Sequence, residues 1–170
     1  MEFSDVIKNR YSCKKFSSEQ IGKDKLDAIL EAGRVAPTAK NLQEQHIYVV
    51  QSESALETID KLTPCRYNAP TVLIVAFNKN NVFTYPGDKR NSGIEDATIV
   101  ATHLMLAAYN EGVDSCWINF FNPDELAKAF NLPEDEEVLM LLDLGTAADG
   151  AAPLPNHNSR KELTDTVSYI

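Results

Sequence analysis

The sequence predicts a mixed fold, α/β or α+β, and three observations carry that prediction. Two runs, Ala69 to Phe77 (APTVLIVAF) and Glu137 to Gly145 (EVLMLLDLG), are continuous and apolar, as strands covered on both faces are. One stretch, 93–112, has the length of a helix and is apolar nearly all round. From Ala97 to Ala108 nine of twelve residues are apolar, and only Thr98, Thr102 and His103 interrupt them. Amphipathic stretches with helix-start signals lie between these runs.

In chain order, Phe3 to Asn9 is predicted as a short amphipathic helix with Phe3, Val6 and Ile7 on one face. It leads into Arg10-Tyr11-Ser12-Cys13-Lys14-Lys15-Phe16, the densest positive cluster of the chain. Arg10, Ser12, Lys14 and Phe16 alternate, so an extended segment would place them on one side. A guanidinium, a hydroxyl and an ammonium on one side suit a phosphate. A solvated basic turn suits the same residues. Lys23 to Arg34 is the next predicted helix, with Leu26, Ile29, Leu30 and Gly33 at helical spacing. Pro37 ends it. The polar segment 35–43 follows, and its Asn41 and Gln43 offer amide donors and acceptors that fit a heterocycle edge.

His46 to Gln51 reads as a buried strand, and Ser54 with Glu57 has the spacing of a capping box that opens a helix through Leu62. Asn78 to Asn91 is a polar loop carrying Phe83, Tyr85 and Pro86. Aromatics on such a loop are anchors or a lid. The long helix 93–112 has Ser92 and Glu95 at its start and Gly112 at its stop. Its wide apolar circumference suits the central core helix of one domain and, better in so small a chain, a core helix that also packs on a second copy. A short helix follows, with Asn122 as cap, Pro123 at its first position and Glu125 closing the box; it ends before Pro133. The tail, 146–170, is rich in Ala, Pro and Asn, then carries Arg160-Lys161 and an apolar end.

At 170 residues one domain, 1–170, is expected. The composition, 44% apolar and 24% charged, is that of a globular chain. A net charge of −9 argues against nucleic acid as the main partner, since phosphate repels an acidic surface. The long helix is too short and too closely flanked by acids to span a membrane. Cys13, Cys65 and Cys116 are odd in number and irregular in spacing, which suggests free thiols in a reducing compartment. With no apolar leader in MEFSDVIKNR, a cytoplasmic protein is expected. Three scattered histidines without a ligand spacing point away from a metal site. No nucleophile motif, P-loop or GxGxxG is present. His103 reads as a core histidine and Cys116 as a small buried thiol. Anion-binding groups, amides and aromatics without acid–base machinery fit a protein whose chemistry lives in a bound cofactor.

These pieces resemble the FMN-dependent nitroreductase family. Arg10-x-Ser12-x-Lys14-x-Phe16 is similar to its opening motif, and Ala36-Pro37-Thr38-x-x-Asn41-x-Gln43 to its second. Asp96 to Ile118, ending Gly112-Val113-Asp114-Ser115-Cys116-Trp117-Ile118, resembles its long central helix and the turn after it. The strand ending at Gly145 and the late Arg160-Lys161 complete the order.

The resemblance implies an α+β sandwich: a central, mainly antiparallel sheet flanked by helices, in a homodimer with the long helix at its interface. It implies FMN as cofactor and NAD(P)H as electron donor, with a nitroaromatic, quinone or similar small-molecule acceptor. Arg10, Tyr11, Ser12 and Lys14 would hold the FMN phosphate and ribityl chain, with Arg160 and Lys161 closing on the phosphate. Asn41 and Gln43, in this family usually from the partner subunit, would face the flavin ring, and Pro37 and Thr38 would also bind the cofactor. Trp117, Ile118 and Asn119 would run along the flavin, which itself carries the chemistry, and Cys116 and Gly145 would also bind the cofactor. Lys40, Phe83 and Tyr85 would line the substrate pocket. Lys40 stands where many members have Gly, and Glu44-Gln45 where many have Pro-Trp. These departures keep a second reading open, a flavin carrier or redox sensor without fast turnover.

Overall fold

The structure is a computed structural model and describes all residues, 1–170. Four strands form one sheet: β1 (Gln45–Val50), β2 (Thr71–Asn78), β3 (Asp114–Ile118) and β4 (Glu136–Gly145). Their spatial order is β1-β2-β4-β3, and every neighbouring pair is antiparallel. Of the two classes the sequence left open, the molecule is therefore α+β. A register shift between Val75 and Ala76 bends β2 against β4.

Helices α1 (Phe3–Asn9), α2 (Lys23–Arg34), α3 (Glu53–Leu62), α4 (Gly93–Asn110) and α5 (Pro123–Ala129) complete the elements. The period of two along β2 and β4, broken on β4 only where the pairing skips Leu139, divides the core. Leu73, Val75, Phe77, Met140, Leu142 and Leu144 face α2 and α4. Val72, Ile74, Ala76, Val138 and Leu141 face the other way, onto Ile59 of α3 and Leu126 of α5. Both central strands are thus covered on both sides, as their continuous apolar runs require.

Helix α2 lies close on α4 because Gly33 has no side chain: a Cβ there would stand 2.7 Å from Leu104 Cδ2. Helix α4 buries Gly93, Ala97, Val100, Ala101, Leu104 and Ala108, a single stripe at helical spacing. The rest of its apolar circumference is not covered by this chain. Ile94 and Ile99 are exposed, and Leu106, Ala107 and His103 line a groove of about 410 Å³ with Met1 and Phe3.

Several local expectations are corrected. Strand β1 is not buried; only Val50 is, because β1 is the sheet's edge. Ser92 and Glu95 form no capping box. Ser92 Oγ instead accepts from Phe83 N at 3.2 Å, and Glu95 takes the Tyr85 hydroxyl. Helix α3 begins after Ser52 rather than Ser54 and also has no side-chain cap. At α5 the Asn122 cap does form: its Oδ1 accepts from the backbone N–H of Asp124 and Glu125 at 3.0 and 3.3 Å. His103 is not a core residue; its ring bonds the Ile99 carbonyl at 2.8 Å on the open side of α4. Residues 114–118, read as a turn from the sequence, are strand β3. No helix is long and apolar enough to cross a membrane.

Candidate functional site

The basic segment leaves α1 at Arg10 and lies along the free edge of β3. Ser12 pairs with Ser115 in a parallel bridge, and Cys13 N donates to Ser115 O at 2.9 Å. Phe16 pairs with Ala147 on the far side, and Ala148 N donates to Lys15 O at 3.0 Å. Arg10–Lys14 and Cys116–Asn119 are thereby neighbours. The simple alternation does not persist through Phe16. Cys13 and Phe16 both turn into the core, while Ser12 and Lys14 stay exposed. The apolar phenyl is buried against Gly145 at the end of β4, and the Phe16 backbone N–H donates to the Tyr67 carbonyl at 3.0 Å.

Along β3 the side chains alternate. Cys116 and Ile118 point into the core and can offer a ligand only backbone. Burial pushes the Cys116 thiol up to about 12, so it is no thiolate. Trp117 is half-buried, and its Nε1 donates to Asn119 Oδ1 at 3.0 Å. Gly145, opposite Asp114, is sealed: a Cβ would meet Pro70 Cδ at 2.8 Å and Phe16 Cδ1 at 2.9 Å.

The late basic pair is brought to the same region by an aromatic contact. The His157 ring packs edge-on against Tyr11, centroids 6.4 Å apart. Arg160 Nη1 donates to the His157 carbonyl at 2.5 Å and to that of Ser159 at 2.7 Å. Lys161 is exposed beside it. Burial, aided by nearby Asp114, raises the Tyr11 phenol to about 12, so it serves as a neutral donor. Arg10, Lys14, Arg160 and Lys161 make no ion pair with a carboxylate. In a chain this acidic, a basic donor set without protein carboxylates suits a phosphate.

The second motif is elsewhere. Segment 37–43 precedes β1, at the opposite edge of the sheet from β3. Three strand spacings, roughly 14 Å, separate the two edges. The segment holds three non-glycine residues in the left-handed region: Lys40 (φ 52°), Asn41 (φ 56°) and Gln43 (φ 58°). Each costs about 1 kcal/mol or more and must be held by its surroundings. Thr38 Oγ1 accepts from Gln43 N at 3.1 Å, Gln43 Nε2 donates to Asn41 O at 3.1 Å, and Asp96 Oδ1 accepts from Ala39 N at 2.8 Å.

Asp96 was missed in the sequence; it looked like an ordinary first-turn acid of α4, and nothing local signals a bond to residue 39. Lys40, Phe83 and Tyr85 lie together. Lys40 Nζ sits 4.5 Å from the Phe83 ring centroid, and the Phe83 and Tyr85 rings meet edge-on at 5.4 Å. Arg90, also missed, covers the other ring at 4.8 Å.

The profile of the nitroreductase family matches residues 7–65 and 64–146 of this chain. The chain belongs to the nitroreductase family. A nitroreductase family protein of Clostridium difficile 630 superposes with a TM-score of 0.92 at 33% identity, covering 99% of this chain and 98% of that one. A Bacillus subtilis (strain 168) protein with the provisional name NAD(P)H nitroreductase YodC is 27% identical over 96% of both chains. A protein of Exiguobacterium sibiricum 255-15, solved in complex with FMN, shares the fold at a TM-score of 0.85 and 22% identity. As a nitroreductase family member, this chain has its two groups of candidate flavin contacts on opposite edges of one sheet.

Proposed function

We propose that this protein is an FMN-dependent oxidoreductase that takes hydride from NAD(P)H and passes it, in a ping-pong cycle, to a nitroaromatic, quinone or similar acceptor. One observation carries this reading best: in a nitroreductase fold, an unpaired basic set at residues 10–14 lies along β3 at Ser115, and the Tyr11–His157 contact brings residues 160–161 to it. The donor set fits FMN. Arg10, Ser12 and Lys14, with Arg160 and Lys161, would hold its phosphate, and Tyr11 would add a neutral hydroxyl. The backbone of 116–119 would run beside the ring, with Trp117 and Asn119 as its side-chain contacts. When bound, FMN supplies reversible hydride transfer, and positive charge and N–H donors around it favour its reduced, anionic form. The relatives' names and the FMN-bound neighbour support the same reading.

One chain cannot bring both edges of its sheet to one ring. A homodimer can, with Pro37, Thr38, Asn41 and Gln43 of one subunit completing the site built on β3 of the other. The uncovered apolar side of α4 and the exposed tail residues Val167, Tyr169 and Ile170 support such a dimer. Each chain is one nitroreductase-like domain, 1–170, since every strand belongs to one sheet. Three free cysteines agree with a cytoplasmic, reducing setting.

The visible spectrum of the purified protein, followed on anaerobic addition of NADH or NADPH, tests the reading. Flavin absorbance that bleaches rapidly and returns with a quinone is the expected result. A coloured protein that no nicotinamide reduces would support the carrier instead, and a colourless protein that takes up no FMN would end both. Arg10→Ala should weaken FMN binding by about 1.5–3 kcal/mol, as loss of a hydrogen bond to a charged group does; equal affinity would remove Arg10 from the site.

A further inference from the structure

Residues 83–92 fold into a small hairpin. Thr84 pairs with Asn91, Tyr85 N donates to Arg90 O at 3.1 Å, and Ser92 N donates to Phe83 O at 2.8 Å. Two of the residues at which this chain departs from the family pattern, Lys40 and Glu44, touch the hairpin and the turn just before it. Lys40 lies on Phe83, and Glu44 accepts from Asn81 Nδ2.

Three carboxylates at this corner are engaged, and Asp88 at the hairpin tip makes no ion pair. Glu44 holds Asn81, Glu95 holds the Tyr85 hydroxyl and Arg90, and Asp96 holds Ala39 N. The Lys40 ammonium has no carboxylate partner. Its contact is a ring face, which leaves N–H donors open. It is also held in a backbone conformation that glycine adopts at least cost.

We propose that Lys40 makes the enzyme selective for planar anionic acceptors, which lie against the Phe83 and Tyr85 rings with their negative group at the Lys40 ammonium. This rests on the flavin reading above. Arg90 cannot take that role alone, because Glu95 already offsets its charge. The ring edges supply the apolar wall and Lys40 the sign, so a neutral ester of the same shape gains the wall but not the charge-assisted bond.

The test uses the FMN-loaded protein with NADH, and 4-nitrobenzoate against methyl 4-nitrobenzoate. The ratio of their kcat/KM values, compared between variant and wild type, cancels the intrinsic reactivity of each nitro group. Lys40→Met should lower the ratio about tenfold, and Lys40→Arg should retain most of it. Lys40→Gly suits the left-handed backbone best and guards against a misfolded Met variant; it should show the same drop. Added salt should erode the wild-type preference. An unchanged ratio in Lys40→Gly, in a protein whose flavin still bleaches with NADH, overturns the proposal alone. A protein that holds no reducible flavin overturns the reading beneath it, and the proposal with it.

Discussion

Asp143 sits near the end of β4, fully buried, and neither carboxyl oxygen has a hydrogen-bond partner. It faces Cys116 across β3 and Val72 across β2. Burial is the main cause that raises its acid from the ordinary 3.8 to about 9; the Arg66 guanidinium pulls the other way but is already committed to Asp60 and the Ala69 carbonyl. The folded chain therefore keeps a proton that the unfolded chain releases above about pH 4. With fewer protons bound in the unfolded state, this residue's contribution to stability falls as pH rises from about 4 to about 9. Asp143→Asn keeps the shape and has no proton to lose. Its melting temperature should depend less on pH than the wild type's between about pH 5 and pH 9. Parallel curves in thermal melts across that range would show that Asp143 is not held neutral.

At the scale of elements, the molecule depends on how closely α2 approaches α4. Gly33 is the contact point, and Leu104 is fully buried beneath it. Gly33→Leu would force extra atoms into a filled seam and should cost about 1–3 kcal/mol of unfolding free energy. Gly22, at the start of the same helix, has nothing within 4 Å of its Cβ position. Gly22→Ser adds an ordinary helix cap there and should not lower stability. Denaturant melts of the two variants check this. Equal midpoints would mean that the helices can separate without loss.

At the scale of the whole molecule, the dimer decides whether the two edges of the sheet form one site. Leu104 belongs to the chain's own core, so a charge there would unfold it rather than test the interface. Leu106, on the uncovered side of α4, is the proper probe. An obligate interface should bury more than about 2,000 Å² and resemble a core cut in half. Leu106→Asp should shift the protein toward monomer in light scattering and weaken FMN binding together with it, since an unpaired buried charge is costly. A folded monomer with unchanged FMN affinity would show that the site is not shared.

Most elements were legible in the sequence because their signals are local. The α1 and α2 bounds follow from apolar spacing, and β2 and β4 from continuous runs that only a strand covered on both faces can bury. Asn122-Pro123 marked α5, since a cap and an N1 proline act within one turn. The order of the motifs identified the family. What the sequence could not supply depends on residues distant in the chain. Ser92 fits a cap, but the hairpin 83–92 folds back and takes its hydroxyl. Residues 114–118 are too few and too mixed to announce a strand until β4 lies beside them. Asp96 reaches Ala39 across 57 positions, and Phe16 leaves its alternation to fill a gap that only the assembled sheet creates. Above all, sheet order placed the basic segment and the Asn41–Gln43 segment on opposite edges, because strand pairing is set by which apolar faces meet and not by the order of the chain.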